Sequence, residues 1–267
     1  RGHPWVFSNE IDMSVETKAL PPGTLVTAVD AGGEPLGVAT FNPHSLIALR
    51  LLTRDSSATI DSAFLCERLR QAMDLRRILI GTPFHRLVHS EADGLPGLVI
   101  DRYGSVIALQ VNSAGMEALL PQLLEALDTV LAPTAIVLRN DSPVRKLEGL
   151  ELYHRIERGT LEDAVEIVEN GARFLADLSE GQKTGWFHDQ RDNRAFMARL
   201  SAGRRCLDLY TYAGGFAVQM ALAGATEVTA VDRSESSLAL AERSAALNGV
   251  SLHGIKGEAF TEMERMG

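Results

Sequence analysis

Three acids and a pair of glycines in the last third of the 267-residue sequence have the spacing of a nucleoside-binding site. Asp208 opens the stretch Asp208-Leu209-Tyr210-Thr211-Tyr212-Ala213-Gly214-Gly215-Phe216, Asp232 stands eighteen residues after Gly214, and Glu258 follows further on. Glycine at the first turn of an open parallel sheet lets backbone approach a ligand, and an acid near this spacing accepts both hydroxyls of a ribose. The dinucleotide fingerprint G-x-G-x-x-G is missing, because Tyr210 and Tyr212 occupy positions where small residues would admit a pyrophosphate. Gly181-Gln182-Lys183-Thr184 lacks the Gly-Lys-Ser/Thr order of a P-loop. A nucleoside cofactor without phosphates fits the pattern, and S-adenosylmethionine is the commonest ligand of that kind. The plainer alternative is that Gly214-Gly215 is only a tight strand-to-helix turn and Asp232 only a helix-starting residue.

Such a site needs parallel strands to carry it, and the surrounding pattern supplies them. Residues 205–210 are an apolar strand, 216–223 a helix closed by Gly224, 227–232 a second strand, 236–247 a helix ending at Asn248-Gly249, and 252–256 a third strand. Strands alternating with helices require a parallel sheet with crossover connections. The opening third reads differently. Residues 24–29 and 36–41 flank the turn signal Asp30-Ala31-Gly32-Gly33, and 46–52 alternates apolar with other residues, which suggests a small β-barrel. Asp61 is placed to cap a helix running to Leu79, with Leu65, Leu69 and Ala72 on one stripe. Between these regions, 98–101, 106–111 and 135–139 read as strands, and a helical period runs from Met116 to Leu131, where Pro121 is tolerated only in a first turn. The expected organisation is therefore α/β: a barrel over 1–72, an α+β middle domain over 73–175, and the front half of a Rossmann-like domain over 176–267.

Composition narrows the function. At 45% hydrophobic and 23% charged the chain is an ordinary globular protein, not a disordered or collagen-like one. No apolar run approaches the roughly 20 residues needed to span a bilayer. Cys66 and Cys206 form neither a CxxC pair nor a zinc framework and are expected to pack, so a reducing cytosol is the natural setting. His85 and His89 have helical zinc spacing, but 84–88 reads as extended, which would hold them about 13 Å apart on one strand face. Trp5 and Phe7 could stack a base, though barrel core is the stronger reading. A net charge of −9 argues against nucleic acid, yet residues 183–205 carry six basic groups against two acids. Lys183, Arg191 and Arg194 precede the first sheet strand and are expected to lie across the pocket mouth, facing RNA phosphates.

The sequence resembles the class I rRNA large-subunit methyltransferases that carry an N-terminal PUA domain, whose better-known members make 5-methylcytosine. Three stretches carry the likeness. Arg1-Gly2-His3-Pro4-Trp5-Val6-Phe7-Ser8 resembles the opening of their PUA domain. Residues 91–104, Glu-Ala-Asp-Gly-Leu-Pro-Gly-Leu-Val-Ile-Asp-Arg-Tyr-Gly, resemble the signature of their middle domain. Residues 181–194, Gly-Gln-Lys-Thr-Gly-Trp-Phe-His-Asp-Gln-Arg-Asp-Asn-Arg, resemble the segment leading into their methyltransferase fold.

The resemblance implies S-adenosylmethionine as cofactor and large-subunit rRNA as partner, with a homodimer admissible and no membrane. It implies cofactor contacts through Phe187 and Asp189, added to Asp208, Tyr210, Tyr212, Gly214, Gly215, Asp232 and Glu258. Family members usually carry Asp where Glu258 stands. The tyrosines in the first turn are a feature of this subfamily. The implied chemistry is attack of a cysteine thiolate on cytosine C6, which makes C5 nucleophilic towards the methyl group. In the family that cysteine and an Asp-Pro-Pro-type loop lie in the C-terminal part, so the resemblance puts them beyond Gly267; the sequence also lacks an initiator Met, and both its ends read as cut. Two rival readings are a guanine methyltransferase, which needs no cysteine, and a non-catalytic PUA-type RNA-binding factor.

Overall fold

The computed structural model describes residues 3–161, 163–179, 181 and 184–266, and divides into two compact units between Thr160 and Leu161. The first unit opens with strand β1 (Trp5–Val6), the short helix α1 (Val15–Lys18), and strands β2 (Thr24–Val29), β3 (Pro35–Phe41) and β4 (Leu49–Thr53). These form an antiparallel sheet in the order β1-β4-β3-β2. The β2–β3 turn is closed by Asp30, whose Oδ1 accepts from the amides of Gly32 and Glu34 at 2.8 and 3.0 Å. Ala28, Ala39, Phe41, Ala48 and Leu49 fill the interior of this sheet.

Helix α2 (Ser62–Leu79) begins where Asp61 accepts from the Phe64 amide at 2.9 Å, the capping role its sequence position predicts. Its stripe of Leu65, Leu69 and Ala72 enters one core with the sheet that follows. That sheet comprises β5 (Phe84–His89), β6 (Leu98–Tyr103), β7 (Val106–Val111), β8 (Ala135–Asn140) and β9 (Tyr153–Arg158), in sequence order. Only its β7–β8 pair is parallel, as expected where helices α3 (Ala114–Ala118) and α4 (Leu120–Leu131) make the crossover. Pro121 falls in the first turn of α4, where its missing N–H is harmless. The helices break at Leu119, so the expected single helical run is two.

The compact units divide the chain elsewhere than at 72/73 and 175/176. The first of those positions lies inside α2, and Val38 and Leu52 of the opening sheet share a core with Leu65, Leu98 and Leu123. A β-bulge also corrects the two histidines. The register shifts between Arg86 and Val88, so His85 is buried with Nδ1 2.6 Å from the Thr82 carbonyl, while His89 is exposed. Among the described residues no cluster of metal-ligating side chains exists. Cys66 packs in the core, as expected. Trp5 is neither core nor a free stacking surface: its indole donates to Glu91 at 2.7 Å and the Arg50 guanidinium lies over its ring. No helix among the described residues is long and apolar enough to cross a membrane.

The second unit starts with a hairpin of β10 (Val165–Glu169) and β11 (Ala172–Ala176), then α5 (Arg191–Arg199), β12 (Arg205–Leu209), α6 (Gly215–Leu222), β13 (Glu227–Asp232), α7 (Glu235–Leu247), β14 (His253–Lys256) and α8 (Ala259–Met266). Strands β12, β13 and β14 are parallel and adjacent in that order, as the alternation predicts. The hairpin turns through Asn170 and Gly171, both left-handed at φ 51° and 79°, the geometry that favours Asn-Gly. It is stitched to α7: Asn248 accepts from the Arg173 amide at 3.0 Å and returns a bond to its carbonyl at 2.6 Å, and the Leu175 amide donates to Ser244 at 3.1 Å. That stitching places it in the second unit instead of the middle domain. The outer edge of β12, away from β13, pairs with no strand among the described residues. Leu207 there remains 41% exposed.

The Asp61 cap gives a direct test. Asp61→Ala should lower the stability of the first unit by about 1 kcal/mol, read as a lower urea midpoint with unchanged slope.

Candidate functional site

The cleft at the carboxyl ends of β12 and β13 encloses about 340 Å³ and is lined by Trp186, Phe187, Gln190, Arg194, Tyr210, Thr211, Tyr212, Gly215, Phe216, Asp232 and Arg233. That volume lies in the range of small-molecule sites, roughly 300–1,000 Å³. Its floor is the turn from β12 into α6. Asp208 does not face the cleft. Its buried Oδ2 accepts from the Thr211 hydroxyl at 2.7 Å and the Ala217 amide at 3.1 Å, so it closes the turn and caps the first turn of α6 from behind. Burial raises its pKa from the ordinary 3.8 to about 6, against the opposing pull of those two hydrogen bonds and Arg194.

Gly214, at φ 80°, starts α6 where an added Cβ would lie 2.9 Å from the Cβ of Ala241, so its role is helix contact. Gly215 admits the Arg194 side chain, since a Cβ there would sit 2.5 Å from Arg194 Nε. Between Asp208 and these glycines, Tyr210 and Tyr212 both hold left-handed backbone, φ 59° and 50°. Tyr212 turns inward: its amide donates to Asp232 Oδ2 at 2.9 Å, its hydroxyl to the Gly185 carbonyl at 3.1 Å, and its ring meets Phe187 edge-on at 5.7 Å. Tyr210 turns outward and is 57% exposed.

Asp232 uses each oxygen once inside the protein, Oδ2 for Tyr212 and Oδ1 for the Ser234 amide at 2.9 Å. Each oxygen keeps a second acceptor direction, and the residue is only half-buried, so it is placed to receive two vicinal hydroxyls. The wall opposite is aromatic. Trp186 is buried against Phe174 at 4.9 Å, and its indole donates to Glu169 Oε2 at 3.1 Å. The Arg194 guanidinium lies 4.3 Å from the Trp186 ring and donates to Glu169 Oε1 at 2.7 Å, while Arg191 Nε stands 3.6 Å from the same carboxylate.

These contacts correct part of the predicted site. Arg194 is 4% exposed and ion-paired, so it builds the cleft and faces no phosphate. Arg191 is largely covered at the same acid. Lys183 lies outside the described residues. Asp189 is exposed and outside the lining, its carboxylate taking a bond from Gln190 Nε2 at 3.2 Å. Glu258 is exposed and caps α8 through the Thr261 amide at 3.1 Å instead of entering the cleft. Phe187, Tyr210, Tyr212, Gly215 and Asp232 do come together there. Glu169 is the organising residue the sequence reading missed; its position just before Asn170-Gly171 was the available signal. Neither cysteine lines the cleft: Cys206 sits near the amino end of β12, the far end from the turn.

Open parallel sheets bind ligands in a cleft at these strand ends, and comparison with known proteins shows what such a domain resembles. Residues 1–54 match a PUA-like domain model and residues 152–262 a model of S-adenosylmethionine-dependent methyltransferases. In these two stretches the chain is therefore similar to a PUA-like domain and, further on, to a methyltransferase domain of that type. It is 41% identical over 256 residues to the ribosomal RNA large subunit methyltransferase I of Cronobacter sakazakii, and 40% identical to its namesake in Klebsiella pneumoniae, in each case over 94% of this chain and 64% of the relative. The chain therefore spans just under two thirds of the length of these curated relatives. Among solved structures, a candidate SAM-dependent methyltransferase from Streptococcus mutans shares the fold at a TM-score of 0.79 and 19% identity, over 98% of this chain and 68% of that one. A methyltransferase structure complexed with SAH matches at 0.81 and 19% identity, over 99% and 68%.

Three substitutions at two positions test the electrostatics described here. Because Asp208 ionises less readily in the folded chain than in the unfolded one, its contribution opposes folding fully above about pH 6 and vanishes below 3.8. Asp208→Asn keeps an acceptor for Thr211 and Ala217, so it should raise stability at pH 7 by a few kcal/mol, ~3 at most. It should also flatten the loss of stability between pH 4 and 6; urea titrations showing parallel profiles for both proteins would refute this. Glu169→Ala should destabilise the second unit by about 3–5 kcal/mol by stranding buried donors, with Glu169→Gln losing clearly less. Equal losses in the two variants would show that its hydrogen bonds to Trp186 and Arg194 contribute nothing.

Proposed function

We propose that the chain binds S-adenosylmethionine in this cleft and serves the methylation of large-subunit rRNA, at C5 of a cytosine. The observation that carries the cofactor assignment is Asp232, with two partly satisfied carboxylate oxygens at the end of β13 and an aromatic wall facing it. The donor set fits the ligand by chemistry. Vicinal ribose hydroxyls suit Asp232. The aromatic rings of Phe187, Tyr212 and Phe216 offer negative faces to a sulfonium cation. Tyr210 and Tyr212 stand in the turn where small residues would admit a pyrophosphate. When bound, the cofactor supplies a methyl group made electrophilic by its sulfonium; the residues of this chain hold and orient it and shield it from water.

The RNA part of the reading is supported by the PUA-like segment and by relatives whose names specify large-subunit rRNA. Methylation at C5 requires a thiolate at cytosine C6, a role that neither core-packed Cys66 nor Cys206 is placed to fill. Cys66→Ala with Cys206→Ala should accordingly leave cofactor affinity intact.

Calorimetry tests the central claim. Asp232→Ala removes charge-assisted hydrogen bonds worth about 1.5–3 kcal/mol, so the Kd for S-adenosylmethionine should rise tenfold or more. An unchanged Kd in a folded variant would remove Asp232 from the site. For the substrate, rRNA from cells with and without the protein should differ by one methylated nucleoside in mass spectrometry; a methylguanosine in that position would replace the cytosine reading with the guanine one.

A further inference from the structure

We propose that Tyr210 and Arg233 form the RNA-engaging rim of the cleft, with the Tyr210 ring stacking on an unpaired base and the Arg233 guanidinium holding a neighbouring phosphate. This inference rests on the rRNA reading given above and assigns it residues. Tyr210 directly follows β12 and Arg233 directly follows β13, and these strands pair with Leu209 opposite Val231. The two side chains therefore leave adjacent strand ends, which stand about 4.8 Å apart, and both line the same cleft.

What separates these two from their neighbours is how little they do inside the protein. Tyr212 also has left-handed backbone, but three internal contacts hold it there, through its amide, its hydroxyl and its ring. Tyr210 has the same unfavourable conformation, is 57% exposed, and its side chain makes no hydrogen bond or ring contact among the described residues. A bulky residue held in the left-handed region without internal recompense marks a surface kept for an outside contact. Arg233 is exposed and has no acidic partner among the described residues. The other arginine of the cleft, Arg194, is committed to Glu169 and to the Trp186 ring. An exposed aromatic beside an unpaired guanidinium is the chemistry that recognises a splayed single-stranded nucleotide: a π face for the base and a fork of donors for the phosphate. Asp232 and Tyr212 line the same cleft but are anchored to each other internally, so the cofactor would meet the anchored residues and the RNA the two exposed ones at the rim.

The test compares the 267-residue chain with its Tyr210→Ala, Tyr210→Phe and Arg233→Gln variants. Protein-free large-subunit rRNA is titrated by filter binding at several salt concentrations with S-adenosylhomocysteine present, and S-adenosylhomocysteine alone by calorimetry. Tyr210→Ala should weaken RNA binding roughly tenfold or more while leaving its salt slope unchanged, and Tyr210→Phe should restore it. Arg233→Gln should weaken binding and reduce the salt slope by about 0.7–0.9. Because both residues line the cofactor cleft, the Kd for S-adenosylhomocysteine is read alongside, and RNA affinity at saturating S-adenosylhomocysteine should fall by the larger factor in both Tyr210→Ala and Arg233→Gln. A tenfold rise of that Kd in Tyr210→Ala would place the ring on the cofactor and overturn the proposal, as would RNA titrations unaltered in both Tyr210→Ala and Arg233→Gln. Failure of the unsubstituted chain to prefer rRNA over DNA of equal length would instead overturn the rRNA reading, and this proposal with it.

Discussion

Placing a guanidinium against the floor of a ligand cleft is tolerable only if its charge is met where water cannot reach it. Glu169 meets it. The acid sits at the end of β10, reached by Arg194 and Arg191 from α5 and by Trp186 from the segment ahead of it. Three separate stretches of chain are thereby fixed to one carboxylate. The stacking of Arg194 between Trp186 and the glycine at 215 then defines one side of the cleft. Without Cβ at 215 the arginine fits, and without the arginine the glycine would leave a gap. The hairpin that carries Glu169 would otherwise be an appendage; Asn248 and Ser244 secure it to α7, so the acid is held by the same helix that follows Asp232.

A second tier of order lies in the β12–α6 turn. Asp208 and Asp232 both end strands, yet they do opposite work. Asp208 is consumed by Thr211 and Ala217 and sets the shape of the turn, while Asp232 spends one direction per oxygen on backbone amides and keeps the others outward. Their environments follow these tasks. Burial makes Asp208 reluctant to ionise, with the nearby Asp232 charge adding to that reluctance. Asp232, which lines the cleft, is the more solvated of the two.

Much of this framework was legible in the sequence because its signals are local. The Asp61 cap, the Asp30 turn, the alternation of strands and helices after residue 205 and the Asn248 helix end each depend on a few neighbouring residues, and each stands where the pattern puts it. The β10–β11 hairpin went unread although Asn170-Gly171 is a strong turn signal, since its strands carry Glu166, Glu169 and Arg173 among their apolar residues. Charge was the least legible property. Residues 157–180 are rich in acids, and the base-rich stretch 183–205 suggested a face turned to RNA. In the fold they meet, because Glu169 of the first takes Arg191 and Arg194 of the second. A count of charges along a chain does not contain that pairing; only the return of the chain upon itself does. The same holds for Asp208, Asp189 and Glu258, whose acidic character suited a ligand site but whose hydrogen bonds are spent on the protein itself.

The left-handed backbone at Tyr210 has a consequence for how this turn responds to selection. Asn or Gly enters that region at lower cost than an aromatic residue does, and the side chain at 210 makes no hydrogen bond or ring contact among the described residues. A library of variants sorted for thermal resistance alone would therefore drift away from tyrosine at this position while retaining it at 212, where the ring and hydroxyl are anchored. Divergence of the two positions under such sorting would separate what the turn needs in order to exist from what it keeps for use.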